Sequence, residues 1–265
     1  MNLNSSIQQK LYAHHHVFNN LCKLYLNNKF PNNILLSGEK GIGKATLGYH
    51  LINFVLSEDE ELSYDTKKYQ INLENKSFKL IQNKSNPNFN LVDVSEDKKN
   101  IDLNQIRELI IKLNKSSFNN KKRFVLIDNI EHLNLNSINA LLKMLEEHNE
   151  NINFILINNN KRILPTLKSR CLNFKIFLTN EESIKIINNL INDNIDNLVN
   201  KELINHFITP GKLYELLNLS KYYDVDLKNN NLENFLKILI KNKIYKKNKT
   251  IIQIIYSFIE VYFRN

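Results

Sequence analysis

The sequence predicts an α/β fold in which a five-stranded parallel sheet carries a phosphate-binding loop and is followed by helices alone. Three observations lead there: the stretch GEKGIGKAT at residues 38–46, five short apolar runs separated by helical spacings, and an aspartate closing one of those runs. The glycine stretch follows the apolar run ILL at 34–36 and precedes a helical pattern, the strand, loop and helix context that a phosphate cradle needs. Gly38, Gly41 and Gly43 let backbone N–H groups turn inward, the next helix offers the positive end of its dipole, and Lys44 reaches terminal phosphates. Where the motif has a magnesium-holding hydroxyl after the lysine, this chain has Ala45, with Thr46 one place later.

The elements follow in order. Apolar positions from Ile7 through Leu11, Phe18 and Leu21 to Leu26 predict a helix over 6–27. It contains His14, His15 and His16, and three adjacent residues cannot share one helix face, which argues against a metal site. Leu47, Leu51, Ile52 and Val55 give the cradle helix an apolar face, whereas residues 57–88 are polar and weakly patterned. A strand at 91–94 (LVDV) precedes a helix with Leu103, Ile106, Ile110 and Leu113 on one face and Asp102 as its cap.

Residues 124–127 (FVLI) read as a buried parallel strand, and Asp128 at its carboxyl end stands where such a sheet presents side chains to a ligand. Asn134 caps a helix whose core face is Ile138, Leu141, Leu142 and Leu145, with Lys143, Glu146 and Glu147 on the solvated side. Strands are expected at 154–157 (FILI), ahead of Asn158, Asn159 and Asn160, and at 172–177. The sheet domain therefore spans 1–178. Thr179 and Glu182 form a capping box for a helical region over 179–222, in which Thr209, Pro210 and Gly211 start another helix. The remainder, 223–265, predicts two apolar helices, 232–244 and 250–263, joined by a lysine-rich turn.

Composition sets limits on function. A net charge of +9 makes an anionic partner such as nucleic acid plausible. Two distant cysteines, Cys22 and Cys171, build neither a disulfide framework nor a four-cysteine zinc site and fit a reducing cytoplasm. The first ten residues lack the apolar core of a signal peptide, and no run approaches the roughly twenty apolar residues that span a bilayer.

Four stretches in order, GIGKATLGYHLINFVL, IDLNQIRELI, RFVLIDNIEHLNLNSINALLKMLEE and ILPTLKSRC, resemble the delta prime family of bacterial DNA polymerase III clamp-loader subunits over roughly residues 16–220. The resemblance implies an AAA+ module, that is, a nucleotide-binding α/β domain with a small helical lid and then a collar that joins subunits into a ring. It implies ATP with magnesium as the cofactor, bound weakly at Gly38, Gly41, Gly43, Lys44, Thr46 and Asp128. Asn158 falls where related ATPases carry a polar sensor. Arg170, within Ser169–Arg170–Cys171, matches the SRC motif, whose arginine acts in trans on a neighbouring subunit's nucleotide. Expected partners are the motor and clamp-opening subunits, the sliding clamp indirectly, and primed DNA, with no membrane.

Several departures bear on activity. Asn129 stands where a general base would follow Asp128, and Gly211 and Lys212 stand where the lid would supply a second arginine. Residues 57–90 hold no cysteine, so the family's four-cysteine zinc module is excluded there. Fewer than fifty residues follow 220, which implies a reduced or truncated collar. These features predict a mostly non-catalytic subunit of the DNA polymerase III holoenzyme. The alternatives are an active motor of the gamma/tau type and a nucleic-acid-binding protein using its basic C-terminal helices.

Overall fold

Short apolar strands that cannot satisfy their own backbone groups organise the first half of the chain, because each must pair with a neighbour to bury its side chains. The computed structural model describes residues 4–95, 98–115, 119, 121–147, 151–206, 209–243, 252, 255 and 256. Two compact units result, Met1–Phe177 and Leu178–Asn265.

In the first unit the elements are α1 (His15–Leu26), β1 (Asn33–Ser37), α2 (Lys44–Leu56), α3 (Lys76–Gln82), β2 (Phe89–Val92), α4 (Leu103–Leu113), β3 (Arg123–Ile127), α5 (Leu135–Glu146), β4 (Ile152–Asn158), α6 (Pro165–Lys168) and β5 (Leu172–Lys175). The strands form one five-stranded sheet in the order β2-β3-β4-β1-β5, and every pair is parallel. β1 therefore lies between β4 and β5, with Ile34, Leu35 and Leu36 buried. Ile106, Leu109 and Leu113 of α4 and Leu141 and Leu145 of α5 join Val125, Ile127 and Leu156 in a common core. Asp102 and Gln105 form a reciprocal capping box on α4, and Asn134 caps α5 by accepting from the Ser137 N–H.

Several expectations shift. The first helix begins at His15, because His14 is left-handed (φ 65°) and residues 9–11 run extended beside 69–71. The Leu11 N–H donates to the Tyr69 carbonyl and the Ile71 N–H to that of Gln9, at 2.9 and 2.8 Å. β2 starts two residues early, since its register against β3 runs from Phe89–Phe124 to Val92–Ile127 and leaves Asp93 beyond the strand. β5 ends at Lys175, and Phe177 is 77% exposed. The polar stretch 57–88 contains α3, capped by Asn75, and buries Tyr64, Ile71, Phe78 and Ile81. Those apolar residues are too widely spaced to show a period.

That stretch is fastened to the cradle helix by amides. Asn53 of α2 donates to the Asn75 Oδ1 at 2.9 Å, and Asn75 Nδ2 donates to the Leu62 carbonyl at 2.7 Å.

The second unit is helical: α7 (Asn180–Ile191), α8 (Ile195–Leu198), α9 (Lys201–His206), α10 (Pro210–Tyr223) and α11 (Leu232–Lys241). The Thr179–Glu182 capping box starts α7, and Thr209 caps α10 with Pro210 in the first turn. Ile187, Leu203, Leu213, Leu216, Phe235 and Leu239 form its buried interior. α11 stops at Lys241 rather than 244 because Asn242 caps it and Lys243 turns left-handed (φ 52°). The lysine turn and the expected helix over 250–263 lie outside the described residues apart from 252, 255 and 256. Among the described residues no helix is long and apolar enough to cross a membrane.

Arg123 is a buried cation on β3 whose guanidinium donates to the carbonyls of Lys112, Leu113 and Lys115 at 2.7–3.0 Å, closing the negative end of the α4 dipole. Arg123→Met removes three charge-assisted bonds at once. It should lower unfolding stability by about 2–3 kcal/mol, read as a fall in the urea midpoint.

Candidate functional site

The loop between β1 and α2 leaves little freedom of sequence. A Cβ on Gly38 would sit 2.2 Å from the Ile176 carbonyl oxygen, so only glycine fits there. Gly41 and Gly43 are left-handed, at φ 87° and 90°, which turns the chain into the N-terminus of α2. The first N–H groups of that helix have no partner within it and face the loop, as phosphate binding requires. His14 completes the wall, its Nε2 lying 2.6 Å from the Ile42 carbonyl.

Lys44 is 3% exposed and is satisfied by the protein itself. Its Nζ donates to the carbonyls of Gly38 and Glu39 and to Asn159 Oδ1. Burial pulls its pKa down to about 8, against the opposing pull of Asp128, Glu131 and Glu39. From Asn159 the network continues. Its Nδ2 donates to Asn129 Oδ1 at 2.8 Å and to Glu131 Oε1 at 2.9 Å, and Asn129 Nδ2 donates to Asp93 Oδ1 at 2.7 Å.

Asp128 follows β3 and accepts from the Asn129 N–H at 2.8 Å. Its pKa is pushed up to about 6, first by burial and then by the neighbouring Asp93. Asp128 and Glu131 thus act on the Lys44 ammonium, and Asp93 lies beside Asp128, at the carboxyl ends of two adjacent strands, where an open α/β sheet binds ligands.

Of the sequence-predicted residues, Gly38, Gly41, Gly43, Lys44 and Asp128 come together at this mouth. Thr46 lies in the first turn of α2. Asn158 does not reach Lys44: its side chain closes a turn on the backbone of Lys161, donating to the carbonyl at 2.9 Å. Asn159, the middle of three asparagines, is the one that does. Asp93 and Glu131 were also missed as members, and a strand-end acid was the only signal available for the first.

The residues fit a nucleotide's phosphates better than its metal. Glycines, helix terminus and lysine are in place, but Ala45 has no hydroxyl and Glu131 is held by Asn159. Among the described residues no three His, Cys, Asp or Glu side chains cluster as metal ligands.

Arg170 is elsewhere. It precedes β5 at the amino end of the sheet, whereas the cradle follows the carboxyl end of the parallel neighbour β1. The intervening strand is about 16 Å long, further than a side chain can span. Its Nε donates to Glu146 Oε1 at 2.7 Å, its Nη2 reaches the same oxygen, and its Nη1 donates to the Thr166 carbonyl at 2.8 Å. Glu146 is exposed, as expected, but ion-paired.

A profile of the family described as DNA polymerase III, delta subunit, matches residues 13–179. The chain belongs to that family. It is thus a relative of clamp-loader subunits of DNA replication, and its first unit is a parallel α/β domain with a P-loop-type glycine loop after β1. It is 30% identical over 214 residues to DNA polymerase III subunit gamma of Buchnera aphidicola subsp. Schizaphis graminum, covering 79% of this chain and 56% of that one. It is 27% identical to the delta' subunit of the same organism, covering 87% of this chain and 71% of the relative. Among solved structures, a DNA polymerase III gamma subunit-related protein of Thermotoga maritima is 19% identical, with a TM-score of 0.43 over 86% of this chain and 65% of that one. This chain therefore spans little more than half the length of the gamma relative.

Asp128 also sets a pH dependence. Its folded pKa, about 6, lies above the ordinary 3.8, so its protonated form favours folding and that contribution is lost as pH rises from about 4 to 6. Asp128→Asn should therefore be more stable than wild type at pH 7, by on the order of 2–3 kcal/mol, with the difference vanishing near pH 4. Thermal unfolding at the two pH values measures it.

Proposed function

We propose that this chain is a delta-prime-type subunit of a clamp loader, which hydrolyses little ATP and lends Arg170 in trans to the nucleotide site of a neighbouring ATPase subunit. The observation that carries this is the position of Arg170, at the end of the sheet opposite its own cradle and partly open to solvent. An arginine so placed cannot serve its own loop. Delivered to a neighbour, it stabilises charge developing on the transferred phosphate.

The cradle supports the other half of the reading. Lys44 is already bonded to Gly38, Glu39 and Asn159, and a nucleotide must displace those contacts to engage it. Gly38, Gly41, Gly43 and Lys44 would hold the phosphates, and Asp128 with Thr46 the magnesium. Asn129 replaces the general base and donates to Asp93, while the Glu131 carboxylate is held by Asn159. Binding without appreciable turnover is the expected behaviour.

In this reading the chain works in the cytoplasm with motor and clamp-opening subunits, and through them with the sliding clamp and primed DNA. Residues 179–222 act as lid and 223–265 belong to the collar. The intact lysine cradle and the gamma relative favour a second reading, an active gamma/tau-type motor.

Steady-state hydrolysis separates the two. The purified chain should turn over ATP well below about one per second, and a rate near that value would establish the motor reading. Reconstituted with motor and clamp-opening subunits, Arg170→Ala should lower DNA-stimulated hydrolysis at the site it serves by on the order of 10³. An unchanged rate would remove the trans role.

A further inference from the structure

The segments that carry Arg170 and Glu146 are tied together beneath the pair. The Nδ2 of Asn33, the first residue of β1, donates to the Leu145 carbonyl and to the Arg170 carbonyl, each at 3.1 Å. One amide thus bridges the last turn of α5, next to Glu146, and the backbone of Arg170 itself. Above that bridge the guanidinium is held at three points, two on Glu146 Oε1 and one on the Thr166 carbonyl. A guanidinium has five N–H donors, so two remain for a further acceptor.

An ion pair this open contributes little stability. The two side chains are 33% and 51% exposed, a range in which such pairs add little to stability. Its effect on the arginine is larger. A long side chain that must order itself on meeting a phosphate loses rotamer entropy, and a pre-ordered one does not.

We infer that Glu146 is a positioning residue for Arg170: with Asn33 setting the backbone, its carboxylate holds the guanidinium by the Nε edge and leaves two N–H groups directed to a phosphate oxygen of a neighbouring subunit. The inference rests on the trans reading of Arg170. Glu146 touches no substrate and acts only through the arginine. Asn33 is the first residue of β1, the strand whose other end leads into the glycine loop.

The test uses the full chain reconstituted with the motor and clamp-opening subunits, comparing Arg170→Ala, Glu146→Ala, Glu146→Gln and the double alanine variant. Glu146→Ala should lower DNA-stimulated ATP turnover by on the order of tenfold to a hundredfold. The double variant should be no slower than Arg170→Ala alone, and Glu146→Gln, which keeps an acceptor at the same reach, should retain most activity. In the isolated chain the Arg170 Nε–H should exchange with solvent faster in Glu146→Ala, with the unfolding midpoint unchanged.

An unchanged or faster Glu146→Ala assembly, with Arg170→Ala impaired, overturns the positioning role and leaves the trans arginine standing. Losses that multiply in the double variant, or a midpoint lowered by several degrees, make Glu146 a structural residue and overturn it as well. If Arg170→Ala itself is silent, both readings fall together.

Discussion

Hydrogen bonding along β1 is the constraint on which the rest of the first unit depends. The strand is held on both sides, by β4 from Asn33–Phe154 to Ser37–Asn158 and by β5 from Ile34–Leu172 to Ser37–Lys175. Two flanking ladders fix its ends in space. At one end Gly38 continues the ladder, its N–H donating to the Asn158 carbonyl at 3.2 Å, and opens the cradle. At the other, the Asn33 amide collects the carbonyls of Leu145 and Arg170. A five-residue strand thus separates a lysine cradle from a half-buried arginine by a distance neither side chain can cross, so the arginine does not reach the cradle of its own chain.

The electrostatics of the cradle follow from its composition. The Lys44 ammonium and the carboxylates of Asp128 and Glu131 share a half-buried mouth, and burial weakens the charge of both Lys44 and Asp128. Asparagines mediate between them. Asn129 and Asn159 link Asp93, Glu131 and Lys44 in a chain of hydrogen bonds that spends the carboxylate of Glu131 on positioning. The mouth therefore presents a lysine at a helix N-terminus, while the Glu131 carboxylate beside it is engaged by Asn159.

Much of the fold was legible because it was written in apolar runs and caps. The runs at β1, β3 and β4, the Asp102 and Thr179 capping boxes and the glycine loop each carry a local physical signal. The rest lacked one. Residues 57–82 are held by amide pairs and by apolar side chains spaced too widely to show a period, and the extended segment at 9–11 pairs with residues some sixty positions away. Within the site, Lys44, Asp128 and the glycines were readable by type and place, but Asn159 was hidden among identical neighbours. Strand geometry explains the contact: Asn158 pairs with Ser37 and bonds to Lys161, and its successor bonds to the lysine.

The amide fastening of Asn53 to Asn75 and of Asn75 to Leu62 has a further consequence. Family resemblance leads one to expect a thiol-bound metal in this part of the chain, and such a module would tie assembly to metal supply and redox state. Amides and aromatic rings titrate with neither. Asn53 sits on the helix whose first turn forms the cradle, so the segment is joined to that helix by contacts indifferent to chelators and oxidants.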